Sequence, residues 1–177
     1  EDTLEEIPMS RLYSVSPDDR LQLRLHGKGF FFDNARRKHG TLMHEVLSRI
    51  RTPKDIPASV ESYRLAGVIN REEAAELISR LEELLQAEEV KAWYDGSARV
   101  LNEVDILFGK GLSKRPDRVI IKGGKVIVVD YKFGERQDKR HPNQVRNYLQ
   151  LIRKMGFERV DGYLWYVELG KIEAVNK

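Results

Sequence analysis

Two aspartates and a lysine hold the densest chemistry in this 177-residue chain. Asp117 closes the segment Arg115-Pro116-Asp117 and opens the run Arg118-Val119-Ile120-Ile121-Lys122, while Asp130 and Lys132 end the run Lys125-Val126-Ile127-Val128-Val129-Asp130-Tyr131-Lys132. Only Gly123-Gly124 joins the two runs, and a two-glycine link between β-branched segments is the signature of a tight hairpin with a primed turn. With Lys122 facing Lys125, residue 121 faces 126, 119 faces 128, and Asp117 falls opposite Asp130. Facing β-carbons lie about 5 Å apart, a separation at which like charges repel. Side chains alternate along a strand, so Lys132 shares the face of Asp130. Two carboxylates and one ammonium at the end of a sheet face leave a divalent cation as the natural missing partner. Without one, the pair reduces to edge carboxylates neutralised by Arg115, Arg118 or Lys132.

The elements around this hairpin follow from periodicity and punctuation. Gly40 to Ile50 reads as a helix with Met43, Val46, Leu47 and Ile50 as its apolar stripe, and His44 lies beside that stripe, able to look across the core edge. Asn70 and Glu73 form a capping pair for a helix to about Gln86, with Ala74, Leu77, Ile78, Leu81 and Leu85 inward. A strand is expected over Leu21–Phe32 and another over Ala98–Phe108. A six-residue loop, Gly109 to Lys114, leads from the latter into the hairpin, giving a three-stranded antiparallel meander. Pro142 starts a helix to Met155 that buries Val145, Tyr148, Leu149 and Ile152, and Gly156 caps it. Strands at Val160–Val167 and Lys171–Val175 flank a turn at Gly170. The fold class is α/β, with a mixed central sheet, since a strand after a crossover helix often runs parallel to its neighbour. Residues 1–20 read as a polar linker or arm and residues 21–177 as a single domain.

Composition narrows the functional classes. The chain is 41% hydrophobic and 33% charged, as in soluble globular domains. No apolar stretch approaches the roughly 20 residues that span a bilayer, and no signal-peptide pattern is present, so a cytoplasmic protein without membrane contact is expected. The chain has no cysteine, which leaves oxygen and imidazole as metal ligands. It begins at Glu1 rather than methionine, as a piece of a longer polypeptide would. The net charge is only +3, yet thirteen Lys or Arg and four acids lie between Gly109 and Lys154. A basic block around a carboxylate pair suits a polyanionic substrate held beside a cation. Arg36, Arg37, Lys38, Arg136, Lys139 and Arg140 flank the pair at both ends as candidate phosphate contacts. Glu103 and Asp105 alternate onto one face of the preceding strand. His26, His39 and His141 have no companion ligands at recognisable spacing, and Trp93 and Tyr94 read as core.

Pro116-Asp117 followed by Asp130-Tyr131-Lys132 resembles the signature of the PD-(D/E)XK nuclease superfamily. The Gly40-Thr41-Leu42-Met43-His44 helix and the element Gln144-Val145-Arg146-Asn147-Tyr148 resemble its RecB-like branch, the nuclease domains of helicase-nucleases that process DNA ends. The likeness covers roughly residues 40–167. It implies a restriction-endonuclease-like core, and Mg²⁺ or Mn²⁺ ligated by His44, Asp117, Asp130 and the main-chain carbonyl of Tyr131. It also implies that Lys132 acts on the attacking water and that Gln144 and Tyr148 line the site or touch DNA. Glu103 is similar to the acid that relatives place before the metal aspartate, in a supporting or substrate-facing role. Arg115, Arg136 and Arg140 are the corresponding candidates for substrate contact. Asp130 stands where many relatives have Glu, and the cysteine-ligated cluster of some relatives is excluded here. The implied activity is metal-dependent DNA hydrolysis, as an exonuclease in recombination or repair with a helicase motor as partner; the alternative is an inactive nucleic-acid-binding module of the same fold.

Overall fold

The computed structural model describes residues 28–108, 112–134 and 137–175, with backbone alone for residues 28–38, Phe108 and Leu112. The chain divides into two units, residues 1–39 and 40–177, and the side-chain contacts discussed below all lie within the second. The elements are α1 (Lys28–Arg49), a 3₁₀ turn (Pro53–Asp55), α2 (Ile56–Leu65), α3 (Arg71–Gln86), α4 (Glu88–Lys91), β1 (Arg99–Asn102), β2 (Ile106–Phe108), β3 (Leu112–Lys114), β4 (Arg118–Lys122), β5 (Lys125–Lys132), α5 (His141–Lys154), β6 (Arg159–Tyr166) and β7 (Lys171–Ala174). Among the described residues no helix is long and apolar enough to cross a membrane.

The hairpin forms as its turn chemistry requires. Gly123 and Gly124 both adopt positive φ, and the ladder pairs Lys122 with Lys125 through to Arg118 with Val129. Asp117 sits one residue beyond the last pair, where the same register would continue to Asp130. Five strands make one sheet in the order β1-β4-β5-β6-β7. Its pairs are antiparallel except β5 with β6, which α5 joins as the crossover. The expected α/β class with a mixed sheet is what the chain adopts.

Alternation divides the hydrophobic residues between two layers. Ile120, Val129, Tyr131 and Trp165 face α1, α2 and α3, whose Met43, Leu47, Ile50, Ile56, Val60, Leu77 and Leu81 complete that core. Val119, Val126, Val128 and Leu164 face α5, against Val145, Leu149 and Ile152. Gly162 on β6 lets α5 come close, since a β-carbon there would lie 2.6 Å from Val145 Cγ1. The capping box predicted for α3 is present, with Asn70 Oδ1 accepting from the N–H groups of Glu72 and Glu73 and Glu73 accepting from the Asn70 N–H.

Three expectations need correction. Residues Lys28–Phe32 are helical, not a strand, because helix extension from Gly40 outweighs the β preference of three consecutive phenylalanines; residues 21–27 lie outside the described residues, as does the arm at 1–20. The strand over Ala98–Phe108 is two strands, broken where Glu103 takes φ 52°. Leu112–Lys114 is not loop but β3, which pairs with β2 in a separate two-stranded sheet. The meander is therefore β1-β4-β5, with the β2–β3 hairpin inserted between its first two members. Helices α2 and α4, which the periodicity reading passed over, carry Ile56, Val60 and Val90 into the first core layer.

Candidate active site

Asp117 is the hub, and its surroundings explain why it stays just before the start of β4. Pro116, which has no N–H to offer a ladder, is buried immediately before it. Asp117 Oδ2 accepts the Tyr131 N–H at 2.6 Å, so β5 itself orients the carboxylate. Its Oδ1 lies 2.8 Å from His44 Nε2. His44 reaches it because residue 44 stands beside the buried Met43–Leu47 stripe, with its ring set edge-on to Tyr131 and Phe133.

Glu103 completes the cluster. A left-handed non-glycine residue costs on the order of 1–2 kcal/mol, and here that conformation ends β1 and turns the Glu103 N–H onto the Asp117 carbonyl at 3.1 Å. Its Oε1 comes within 3.1 Å of the same His44 Nε2. One donor atom each from His44, Glu103 and Asp117 thus lies within 4.8 Å of the others. Glu103 Oε1 is buried and, beyond its contact with His44, has no hydrogen-bond partner among the described residues. Two carboxylates and an imidazole with an orphaned oxygen among them are a donor set that fits a hard or borderline divalent cation.

Asp130 is 1% exposed and forms an ion pair with Lys132. Burial, reinforced by the charge of Asp117 and opposed by Lys132, pushes its carboxyl up to about 6. The same physics acts on its neighbours. Burial raises Glu103, and the Asp117 hydrogen bond raises His44 above the ordinary imidazole value despite the opposing effect of burial. All three groups therefore hold protons more tightly than they would in water, as expected of acids and an imidazole packed together away from solvent.

Lys132 is held from its other side. Its Nζ donates to Gln144 Oε1 at 3.2 Å, Gln144 Nε2 donates to Tyr148 Oη at 2.8 Å, and Tyr148 Oη donates to the Arg115 carbonyl at 3.1 Å. Every donor in this chain meets an acceptor, so the amide orientation of Gln144 is determined by its neighbours. Burial pushes the Tyr148 phenol up to about 12, keeping it protonated and able to donate.

The structure thus brings His44, Glu103 and Asp117 together and sets Asp130, Lys132, Gln144 and Tyr148 beside them. Tyr131 enters through its N–H. Asp105 turns away and pairs with Arg115, at 3.2 Å on the surface. Arg140 pairs with Asp138, and with Lys114, His141, Asn143 and Gln144 it lines a cavity of about 480 Å³. Arg136 lies outside the described residues, and of Arg36, Arg37 and Lys38 only the backbone is described. Trp93 and Tyr94 are core, as expected. What sequence reasoning missed is that Glu103 would meet His44, and that Arg118 would be buried and Asn102 half-buried beside the site; the pairing of residues 102 and 118 was not readable, because the six-residue loop left the register of that strand open. A search of curated proteins found no match. The family model of the PD-(D/E)XK nuclease superfamily matches residues 20–177.

Proposed function

Because the chain belongs to the PD-(D/E)XK nuclease superfamily, we propose that it is a metal-dependent deoxyribonuclease whose phosphodiester chemistry takes place at the His44–Glu103–Asp117 cluster. The observation that carries this reading is the convergence of those three ligand atoms within 4.8 Å, next to a buried Asp130–Lys132 pair. The residues assigned to Mg²⁺ or Mn²⁺ are His44, Asp117, Asp130 and the Tyr131 carbonyl, with Glu103 as a further oxygen ligand. Such a cation supplies an acidified water and neutralises charge that develops on the phosphate.

The chain's own side chains prepare the rest. Lys132, steered by Gln144, presents an ammonium where an attacking water would need orienting, and its charge stabilises the negative charge that builds up during attack. Asp117, fixed at both oxygens, neither rotates nor drifts. Tyr148 anchors Gln144 and so holds Lys132 on line. The Arg115–Asp105 and Arg140–Asp138 pairs are exposed. Solvent screens surface pairs of this kind, which contribute little to stability, so a DNA phosphate can replace the acid.

We further assign residues 21–177 as one nuclease domain of RecB-like type, acting as an exonuclease on DNA ends in recombination or repair, in the cytoplasm and beside a helicase motor. Support for this finer reading is the Gly40–His44 pattern together with the Gln144–Tyr148 helix face. The test is incubation of labelled single-stranded and double-stranded DNA with Mg²⁺ or Mn²⁺, alongside Asp117→Asn and a chelator control. Release of mononucleotides or short fragments by the wild type alone is the expected outcome. Absence of metal-dependent cleavage on every substrate would overturn the nuclease reading, and internal nicking of circular DNA would overturn the exonuclease assignment.

A further inference from the structure

Arg118 is fully buried, and no carboxylate reaches it among the described residues. Its guanidinium instead donates to four acceptors drawn from three separate segments. Nη1 bonds the Ile50 carbonyl at 2.8 Å and Asn102 Oδ1 at 3.3 Å, while Nη2 bonds the Arg51 carbonyl at 3.0 Å and the Trp93 carbonyl at 2.7 Å. Its plane lies over the Tyr94 ring, 3.7 Å from the centroid. Tyr94 Oη in turn meets Tyr131 Oη at 2.8 Å. Asn102 is the residue paired with Arg118 across β1 and β4, and its Nδ2 donates to the Ser48 carbonyl at 2.7 Å.

The placement of these bonds is informative. Ser48 lies four residues after His44, one helical turn along the same face of α1. The carbonyls of Ile50 and Arg51 lie just past the helix end, where backbone acceptors lack intrahelical partners and the helix dipole is negative. One cross-strand pair, Asn102 with Arg118, therefore grips the end of the helix that carries His44. The residues adjoining that pair, Glu103 and Asp117, are the two acids that His44 meets.

We propose that Arg118, braced by Asn102, is a positioning residue that fixes the C-terminal end of α1 against β4 and so sets His44 within ligand distance of Glu103 and Asp117. The proposal rests on the metal-dependent reading of that cluster. A fan of planar donors suits the task, since lysine offers one compact charge and cannot span the same carbonyls. Mn²⁺ affinity is the readout that separates positioning from mere support of the fold.

The experiment titrates Mn²⁺ into the wild type, Arg118→Lys, Asn102→Ala and a control, Leu81→Ala, which removes buried volume from α3 without touching the clamp. Each variant is also assayed for melting temperature, DNA binding in the absence of divalent cations and, with cation, kcat and KM. The expected result is a Mn²⁺ Kd raised about tenfold or more in Arg118→Lys and severalfold in Asn102→Ala, with kcat reduced at sub-saturating Mn²⁺ and KM for DNA unchanged. Leu81→Ala is expected to melt lower yet bind Mn²⁺ within about twofold of the wild type. Wild-type affinity in Asn102→Ala, whether or not Arg118→Lys folds, overturns the proposal, as does a loss in Leu81→Ala matched to its melting temperature. A wild type that binds no Mn²⁺ removes the metal reading itself, a different failure from equal binding by all four proteins.

Discussion

His44, Glu103 and Asp130 all hold protons more tightly in the folded chain than in the unfolded one, and the sign of the pH dependence follows. A group with a raised folded value contributes stability that is present below its unfolded value and lost as pH rises through the folded one. For Asp130 that window runs from about 4 to about 6, and for His44 it begins near the imidazole value and extends above it. Without divalent cation, the melting temperature is therefore expected to fall as pH climbs from 5 to 8 on these groups' account, and added Mn²⁺ should stabilise more at pH 8 than at pH 5. A calorimetric series with and without Mn²⁺ reads both trends, and Mn²⁺ stabilisation independent of pH would contradict them. Lys132→Met, which leaves Asp130 buried without its partner, should lower cleavage by about 10²–10³-fold while DNA binding persists; a rate near wild type would remove Lys132 from the chemistry. At this scale Asp117, Asp130 and Lys132 were legible because a two-glycine turn counts residues across a hairpin. Glu103 was only half legible, since no pattern announces that a glutamate will take a left-handed conformation and swing onto a histidine.

At the scale of elements, α5 matters as much for what it carries as for the layer it closes. It presents Gln144 and Tyr148 to Lys132, and its distance from the sheet is set by the missing side chain at Gly162. Gly162→Ala drives a methyl group into Val145 and Leu149, so a stability loss of about 1–3 kcal/mol is expected, together with a lower kcat as Gln144 shifts. Chemical denaturation and steady-state kinetics measure the two effects, and an unchanged kcat would mean that α5 does not control Lys132. The helices α1, α3 and α5 were readable from their 3.6-residue stripes and caps, and β4, β5, β6 and β7 from β-branched runs between glycines. The break in β1 and the pairing of β2 with β3 were not, because both depend on how Glu103 is held by a carbonyl fourteen residues later. The N-terminal part of α1 was also misread, since three phenylalanines favour a strand locally while the helix they precede extends cooperatively.

Across the whole molecule, the net charge of +3 conceals a basic excess concentrated in the segment that surrounds the acids. A polyanion fits that distribution better than a small phosphorylated molecule does. With about four phosphates held, DNA affinity is expected to fall on the order of a hundredfold between roughly 50 and 200 mM salt, a slope that fluorescence anisotropy measures; affinity insensitive to salt would count against a long DNA substrate. His44 near the end of α1, Glu103 just past β1, Asp117 just before β4, the Asp130–Lys132 pair at the end of β5 and Gln144 near the start of α5 meet at one site. That convergence is the central claim, and an anomalous difference map from crystals soaked in Mn²⁺ tests it most directly. The expected result is a peak bounded by His44 Nε2 and the carboxylates of Asp117 and Glu103, with Asp130 beside it. Strong Mn²⁺ density elsewhere with none at this cluster, in crystals of protein that cleaves DNA, would contradict the account.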